Sequence, residues 1–307
     1  MILKQYSQVN LLEDKTGWVT SLENKALWNI LKELDINATS KKITTFQVCY
    51  LPDKYTAIKK CHFYRLLGNR LAFDYYHGDP SISPEFYQIF NELKKKRKYF
   101  QRIRVSHSGI EELLLNEGFE SQVCRIPIGI DIDLFPVQTA LMKQDFRTQF
   151  FIPENAFVIG SFQKDGNGWG EGNNPKLIKG PDIFLETIKI LKSKIPELFV
   201  LLTGPARGYV KSGLERIGVH YAHHFPKRYE EIFKYYQTLD AYLVTSREEG
   251  GPKAILESMA CGIPVVSTRV GQAQDLMKNS FNDWLIRNDI PGISGIDTRM
   301  LTKTILS

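Results

Sequence analysis

SREEGGPKAILESMACGIPVVS, residues 246–267, is the stretch that decides the fold. Ahead of it, Ala241–Thr245 reads as a buried strand. The strand runs into Arg247, Glu248 and Glu249, then into Gly250 and Gly251. Pro252 suits the first position of a helix, where its missing N–H costs nothing. The helix Lys253–Ala260 stops at Gly262, and Pro264 prevents it from resuming. A glycine-rich turn therefore feeds a helix N-terminus at the carboxyl edge of a sheet. The first N–H groups of such a helix and its dipole favour an anion. Gly250 and Gly251 let a ligand come close to the backbone.

Working outward, strands alternate with helices. In the N-terminal half the strands are Ile43–Leu51, Arg70–Tyr76, Arg102–Ser106 and Cys124–Ile130. Between them the spacing predicts helices over Tyr55–Leu67, Pro84–Phe100 and Gly109–Glu117. The alternation restarts with strands at Phe157–Phe162, Leu198–Thr203, Ala241–Thr245 and Pro264–Ser267, and helices at Pro181–Lys194 and Tyr229–Leu239. Such alternation means parallel sheets with helices on their faces. The fold class is α/β, two Rossmann-like domains with a ligand cleft between them. The domains are expected at 1–135 and 136–290, with a tail at 291–307 that returns to the first domain. The segment Asp131–Asn155 reads as irregular, and Met1–Val9 as a first strand followed by a loop at Gly17.

The string Glu249 to Glu257, with Gly250-Gly251-Pro252 and ESMACGIPVV, resembles the E-x7-E signature of retaining GT-B glycosyltransferases of family 4, the group 1 glycosyl transferases. Val105–Phe135, closing on G-I-D-x-x-x-F, is similar to the end of that family's N-terminal domain. Lys179-Gly180 resembles its K-G pair. The resemblance implies a GT-B fold whose N-terminal domain is shortened here. It implies a nucleotide-sugar donor held by Gln163, Lys164, Lys179, Gly204, Gly250, Gly251, Lys253 and Glu257. Within that set Glu257 would meet the ribose and Lys179 the pyrophosphate, while Glu249 would meet sugar hydroxyls. His77, at the end of the strand Arg70–Tyr76, would face the sugar. By the resemblance, Glu249, His77 and Lys179 would form the catalytic set, and transfer would proceed with retention and without a metal or other cofactor. Relatives carry an arginine where Gln163 stands, so Lys164 is expected to replace its charge or the site has one charge fewer. The glycine-rich Asp165–Lys176 reads as a mobile flap bearing Trp169.

Composition bounds the rest. Hydrophobic residues make up 43% and charged residues 24% of 307, enough to bury a core. No apolar leader and no run of about 18 apolar residues is seen, which reads as cytoplasmic. The four cysteines have no metal or redox spacing. The net charge is +6, and seven basic residues with no acid fall between Lys94 and Arg104, beside Tyr99, Phe100 and Ile103. That run reads as a peripheral attachment to an anionic membrane surface, consistent with a glycan or lipid-linked acceptor. No nucleic-acid module is recognised. Asp131-Ile132-Asp133 is read as structural rather than as a D-x-D metal motif, and His220, His223 and His224 lack partners at ligand spacing. The competing reading is a GT-B protein that binds a nucleotide-sugar without turnover. A phosphorylase would need a pyridoxal-linked lysine motif, which is not found.

Overall fold

The computed structural model describes residues 8–13 and 19–277; the expected loop at Gly17 and the tail 291–307 lie outside them. The chain divides into two compact units, the second beginning at Gly129.

The first unit contains β1 (Val9–Leu11), α1 (Val19–Glu33), β2 (Ala38–Thr39), β3 (Val48–Leu51), α2 (Lys54–Leu66) and β4 (Arg70–Asp74). It continues through α3 (Pro84–Lys96), β5 (Phe100–Val105), α4 (Ser108–Asn116) and β6 (Val123–Arg125). Among the described residues its sheet has six strands in the order β2-β1-β3-β4-β5-β6. Every pairing is parallel. Cys49, Leu51, Leu71, Phe73, Ile103 and Val105 are fully buried in one core with Ala57, Cys61, Leu93 and Leu114 of the covering helices. The expected strand over Ile43–Leu51 begins only at Val48. Ahead of it the chain is held by side chains instead: Asn69 Nδ2 donates to the Thr44 carbonyl at 2.7 Å and Asn69 Oδ1 accepts from Gln47 N–H at 2.9 Å.

The cations of the basic run are largely engaged inside this unit. Lys94 pairs with Glu117 at 3.0 Å, and Lys95 and Lys96 pair with Glu92 at 2.8 and 3.4 Å. Arg97 lies over the Phe119 ring, and Arg102 donates to the Gln101 and Ser121 carbonyls. Arg104 meets Glu23 of α1 at 3.0 Å. The run therefore spans a helix end and a strand rather than one solvated face, and it offers an anionic surface less charge than its sequence suggests. Among the described residues no helix is long and apolar enough to cross a membrane.

The second unit holds α5 (Ala140–Gln149), β7 (Phe157–Phe162), α6 (Pro181–Lys192), β8 (Leu198–Thr203), α7 (Gly208–Ile217), β9 (His220–His224) and α8 (Phe233–Tyr236). β10 (Ala241–Val244), α9 (Lys253–Ala260), β11 (Val265–Ser267) and α10 (Ala273–Leu276) follow. Among the described residues the sheet order is β11-β10-β7-β8-β9, again all parallel. Alternate residues enter opposite cores: Val158, Leu201, Tyr242 and Val244 on one face, Ile159, Val200, Leu202 and Leu243 on the other. Burial of both faces is what a parallel sheet requires. The chain runs outward from β7 to β9, then returns to place β10 on the other side of β7. The gap between β7 and β10 is therefore the topological switch point, where loops leaving the carboxyl ends diverge and make room for a ligand.

The segment expected to be irregular contains α5, and Phe135, placed at the domain boundary, is a buried member of the second unit's core. Asp131 caps a short 3-10 turn, its carboxylate accepting from Asp133 N–H at 3.1 Å. α5 is docked by Arg147, which is 6% exposed. Arg147 donates to the carbonyls of Thr238, Glu154 and Ala156 at 2.9–3.0 Å and pairs with Asp240 at 2.6 Å. A buried guanidinium with this many acceptors is costly to remove, because each acceptor is left desolvated. Arg147→Met is expected to lower unfolding stability by about 3 kcal/mol, read from the denaturant midpoint; a loss below about 1 kcal/mol would show that α5 is held by apolar packing alone.

Candidate functional site

The loops leaving β7 and β10 meet at the switch point, and one residue governs how closely. Gly180 has φ +62° and starts α6. Its α-carbon lies against the end of β10: a Cβ there would run into the Thr245 carbonyl, and Thr245 Oγ1 donates to the Gly180 carbonyl at 2.9 Å. Only glycine satisfies both the left-handed backbone and the contact. The residue before it, Lys179, is thereby brought beside the loop that carries Glu249.

Lys179 Nζ donates to both oxygens of Glu249, at 2.6 and 2.7 Å. Ser246 Oγ donates to Glu249 Oε1 at 2.7 Å. Gln163 Nε2 donates to the Lys179 carbonyl at 3.1 Å, and Gln163 Oε1 accepts from Ser246 Oγ at 3.4 Å. Side-chain exposures of 25% for Lys179 and 13% for Glu249 leave the pair at the surface of the site rather than sealed in the core. Gly204, at the end of β8, has φ +90°, and its carbonyl meets His223 Nε2 at 2.7 Å. Four of the expected residues, Gln163, Lys179, Gly204 and Glu249, thus belong to one locus. Ser246 is an addition that the sequence did not single out, although it stands three residues before Glu249.

Glu257 projects from α9 into a different environment. It is 5% exposed, with Tyr229 OH donating to Oε1 and Tyr236 OH to Oε2, each at 2.6 Å. Burial pushes its carboxyl above the ordinary glutamate value, against the opposing effect of the two hydroxyls and of Lys253. Pro252 caps α9 rather than entering it, with ψ at 106°. Lys253 Nζ donates to the Gly129 carbonyl at 2.9 Å. Gly250 is buried, and the carbonyls of Glu249 and Gly250 pack against Gly271.

The segment expected to be a mobile flap is instead a hairpin tied at both ends. Lys176 N–H donates to the Asp165 carbonyl and Asn167 N–H to the Asn174 carbonyl, at 2.7 and 2.8 Å. Gly208 and Tyr209 N–H groups donate to the carbonyls of Glu171 and Gly172. Asp165 is buried against Arg207, 3.0 Å away. Arg207 does not replace the arginine missing at Gln163, because it is buried and spends Nη1 on the carbonyls of Ser161 and Thr203. Trp169 is exposed, and the Lys164 ammonium stands 3.9 Å from its ring centroid. Lys164 is thereby placed on the hairpin's aromatic face.

His77 lies in the first unit, beyond β4. Its ring packs edge-on against Phe86, 5.6 Å between centroids, and its carbonyl and Nδ1 both meet Lys54 Nζ. Among the described residues no group of three or more His, Cys, Asp and Glu side chains stands where it could hold a metal ion.

Residues 172–295 match the family model of glycosyl transferases group 1, so the resemblance read from the Glu249–Glu257 string holds over the segment that carries it. A D-inositol 3-phosphate glycosyltransferase of Corynebacterium urealyticum is 29% identical over 194 residues, 58% of this chain and 43% of that protein. The UDP-Gal:alpha-D-GlcNAc-diphosphoundecaprenol alpha-1,3-galactosyltransferase of Escherichia coli is 24% identical over 218 residues, 67% of this chain and 52% of that one. The chain spans about half the length of these curated relatives. Among solved structures, Anabaena Alr3699/HepE in complex with UDP and glucose superposes with a TM-score of 0.69 at 16% identity, covering 98% of this chain and 89% of that one. A glycosyltransferase from Rickettsia africae gives a TM-score of 0.62 at 14% identity, covering 98% and 87%. The fold is that of GT-B glycosyltransferases, with two parallel-sheet units.

The buried Glu257 generates a pH dependence. A carboxyl raised in the folded protein adds most stability in acid, and that contribution falls as pH rises through the folded value. Glu257→Gln removes the charge and keeps one carbonyl acceptor for a tyrosine hydroxyl, its amide NH2 donating to the oxygen of the other. Its melting temperature relative to the unsubstituted chain is therefore expected to climb as pH increases from the ordinary glutamate value of 4.5 towards 8. A constant difference across that range would mean that Glu257 titrates alike in the folded and unfolded chains.

Proposed function

We propose that this chain is a retaining, metal-independent glycosyltransferase that moves a sugar from a nucleotide-sugar to an acceptor hydroxyl. The carrying observation is the contact between Lys179 and Glu249 at the switch point, braced by Ser246 and Gln163. A lysine ammonium has three donors, so Lys179 can hold Glu249 and still reach a phosphate oxygen. As a diphosphate draws the ammonium, Glu249 becomes an acceptor for sugar hydroxyls. The start of α9 adds N–H groups and the positive end of its dipole to the same anion. Glu257 retains lone pairs beyond those used by Tyr229 and Tyr236, and a carboxylate with about four acceptor sites can take ribose hydroxyls as well.

In the transfer step the bond from the anomeric carbon to the diphosphate oxygen breaks and a bond to the acceptor oxygen forms on the same face. The acceptor proton passes to the departing phosphate. The protein contributes position and electrostatics: Lys179 and the α9 N-terminus face charge that grows on the leaving group. These two groups take the place that a divalent ion fills elsewhere. The UDP in the Anabaena complex supports a uridine donor, and the E. coli relative supports a glycan or lipid-linked acceptor.

A UDP-sugar panel tests this. Transfer or slow donor hydrolysis is expected with at least one sugar, unaffected by excess EDTA. Lys179→Ala is expected to cut turnover by roughly 10²–10³-fold, the scale of losing one transition-state charge contact. Turnover that vanishes in EDTA and returns with magnesium or manganese contradicts metal independence. Donor binding without turnover in any acceptor mixture favours the non-catalytic reading instead.

A further inference from the structure

Lys54 is the first residue of α2 and is 3% exposed. Two effects oppose a cation there: desolvation, and the positive end of the helix dipole. Its surroundings offset both. The ammonium stands 4.7 Å from the Phe86 ring centroid, 5.0 Å from that of Tyr75 and 5.3 Å from that of Tyr55. Aromatic faces attract a cation and not a neutral amine. The His77 carbonyl accepts from the same nitrogen, which also lies 3.4 Å from His77 Nδ1. These partners favour the charged form of Lys54. An ammonium carries three donors and no acceptor, so the Nδ1 beside it must present its lone pair. The single proton of a neutral imidazole then resides on Nε2.

We propose that Lys54 is a positioning residue that locks His77 as the neutral Nε2–H tautomer, so that this histidine serves as a hydrogen-bond donor and not as a general base. Other polar side chains around the loop make contacts of their own. Asp53 accepts from Thr56 N–H and Oγ1 at 2.8 Å each, Asp79 from Ser81 N–H and Oγ, and Glu85 from Tyr55 OH at 3.2 Å. Tyr75 OH donates to the Gly78 carbonyl at 2.8 Å, closing the loop over Lys54. The Lys54 cation, 3.4 Å from Nδ1, opposes a second proton on the ring. With Nδ1 engaged and Nε2 protonated, His77 has no lone pair to offer an acceptor hydroxyl. It can donate to a substrate oxygen. This consequence rests on the transfer reading above, and it agrees with the acceptor proton leaving on the phosphate; the tautomer itself rests on geometry alone.

The test is long-range proton–nitrogen NMR of the histidines in the 15N-labelled full chain, with His77 assigned by His77→Gln. The expected signature is a protonated Nε2 and an unprotonated Nδ1, unchanged between pH 8 and pH 6. Lys54→Arg is expected to keep this signature, since a guanidinium is also a cationic donor. Lys54→Met is expected to lose it, with His77 sampling both tautomers and taking up a second proton as pH falls. A proton on Nδ1 in the unsubstituted chain overturns the proposal, as does an unaltered signature in Lys54→Met. If Lys54→Met does not fold, the unsubstituted chain and Lys54→Arg still decide the matter. Failure of every donor in the UDP-sugar assay would remove the transfer reading and leave the NMR result standing.

Discussion

The close approach of Gly180 to the end of β10 is the constraint on which the candidate site depends. A left-handed residue at that point turns the chain into α6 while its carbonyl accepts from Thr245 Oγ1. With the Arg247 N–H bond to the Ile178 carbonyl, that contact sets Lys179 beside Glu249, across the gap opened by the strand order β10-β7-β8. Sheet topology supplies the gap, and glycine lets two loops close on it without a Cβ between them. Beneath lies an aromatic floor in which Phe162, Tyr236 and Tyr242 pack at centroid distances of 4.8–5.6 Å. Tyr236 belongs both to that floor and to Glu257, to which its hydroxyl donates.

Much of this was legible in the sequence because turn chemistry is local. The glycines, proline and apolar run of residues 246–267 identify strand, turn and helix without reference to the rest of the chain. Lys179-Gly180 is legible through its resemblance to the family's K-G pair. Partners that come from distant segments were not. Ser246 reads as a strand-end serine until the fold puts Gln163 beside it. Tyr229 and Tyr236 read as helix aromatics until β10 brings α9 under them. Lys54 reads as an exposed helix-start lysine, since charged residues usually are, and only the ring packing of Tyr75 and Phe86 reveals that it is buried.

The missed elements have physical causes as well. α7 contains Gly213, which reads as a breaker; the structure uses it because Leu185 of α6 occupies the space a side chain would fill. β9, HYAHH, lacks a continuous apolar run because it is an edge strand whose residues are exposed or only partly buried. α5 is polar around most of its surface and is docked by Arg147 rather than by an apolar stripe, so periodicity alone could not find it. The basic run is unpaired in its own sequence and paired in the folded unit. Its acids lie outside the run: Glu92 is one helical turn away, while Glu117 and Glu23 meet it only in the folded unit.

The central claim is that the Lys179–Glu249 contact is where a diphosphate binds. A crystal structure of the chain with a uridine diphosphate tests it most directly. The account requires phosphate oxygens within about 3 Å of Lys179 Nζ and of the first N–H groups of α9, with the ribose hydroxyls on Glu257. A diphosphate seated elsewhere, with the Lys179–Glu249 contact intact and α9 untouched, would contradict it.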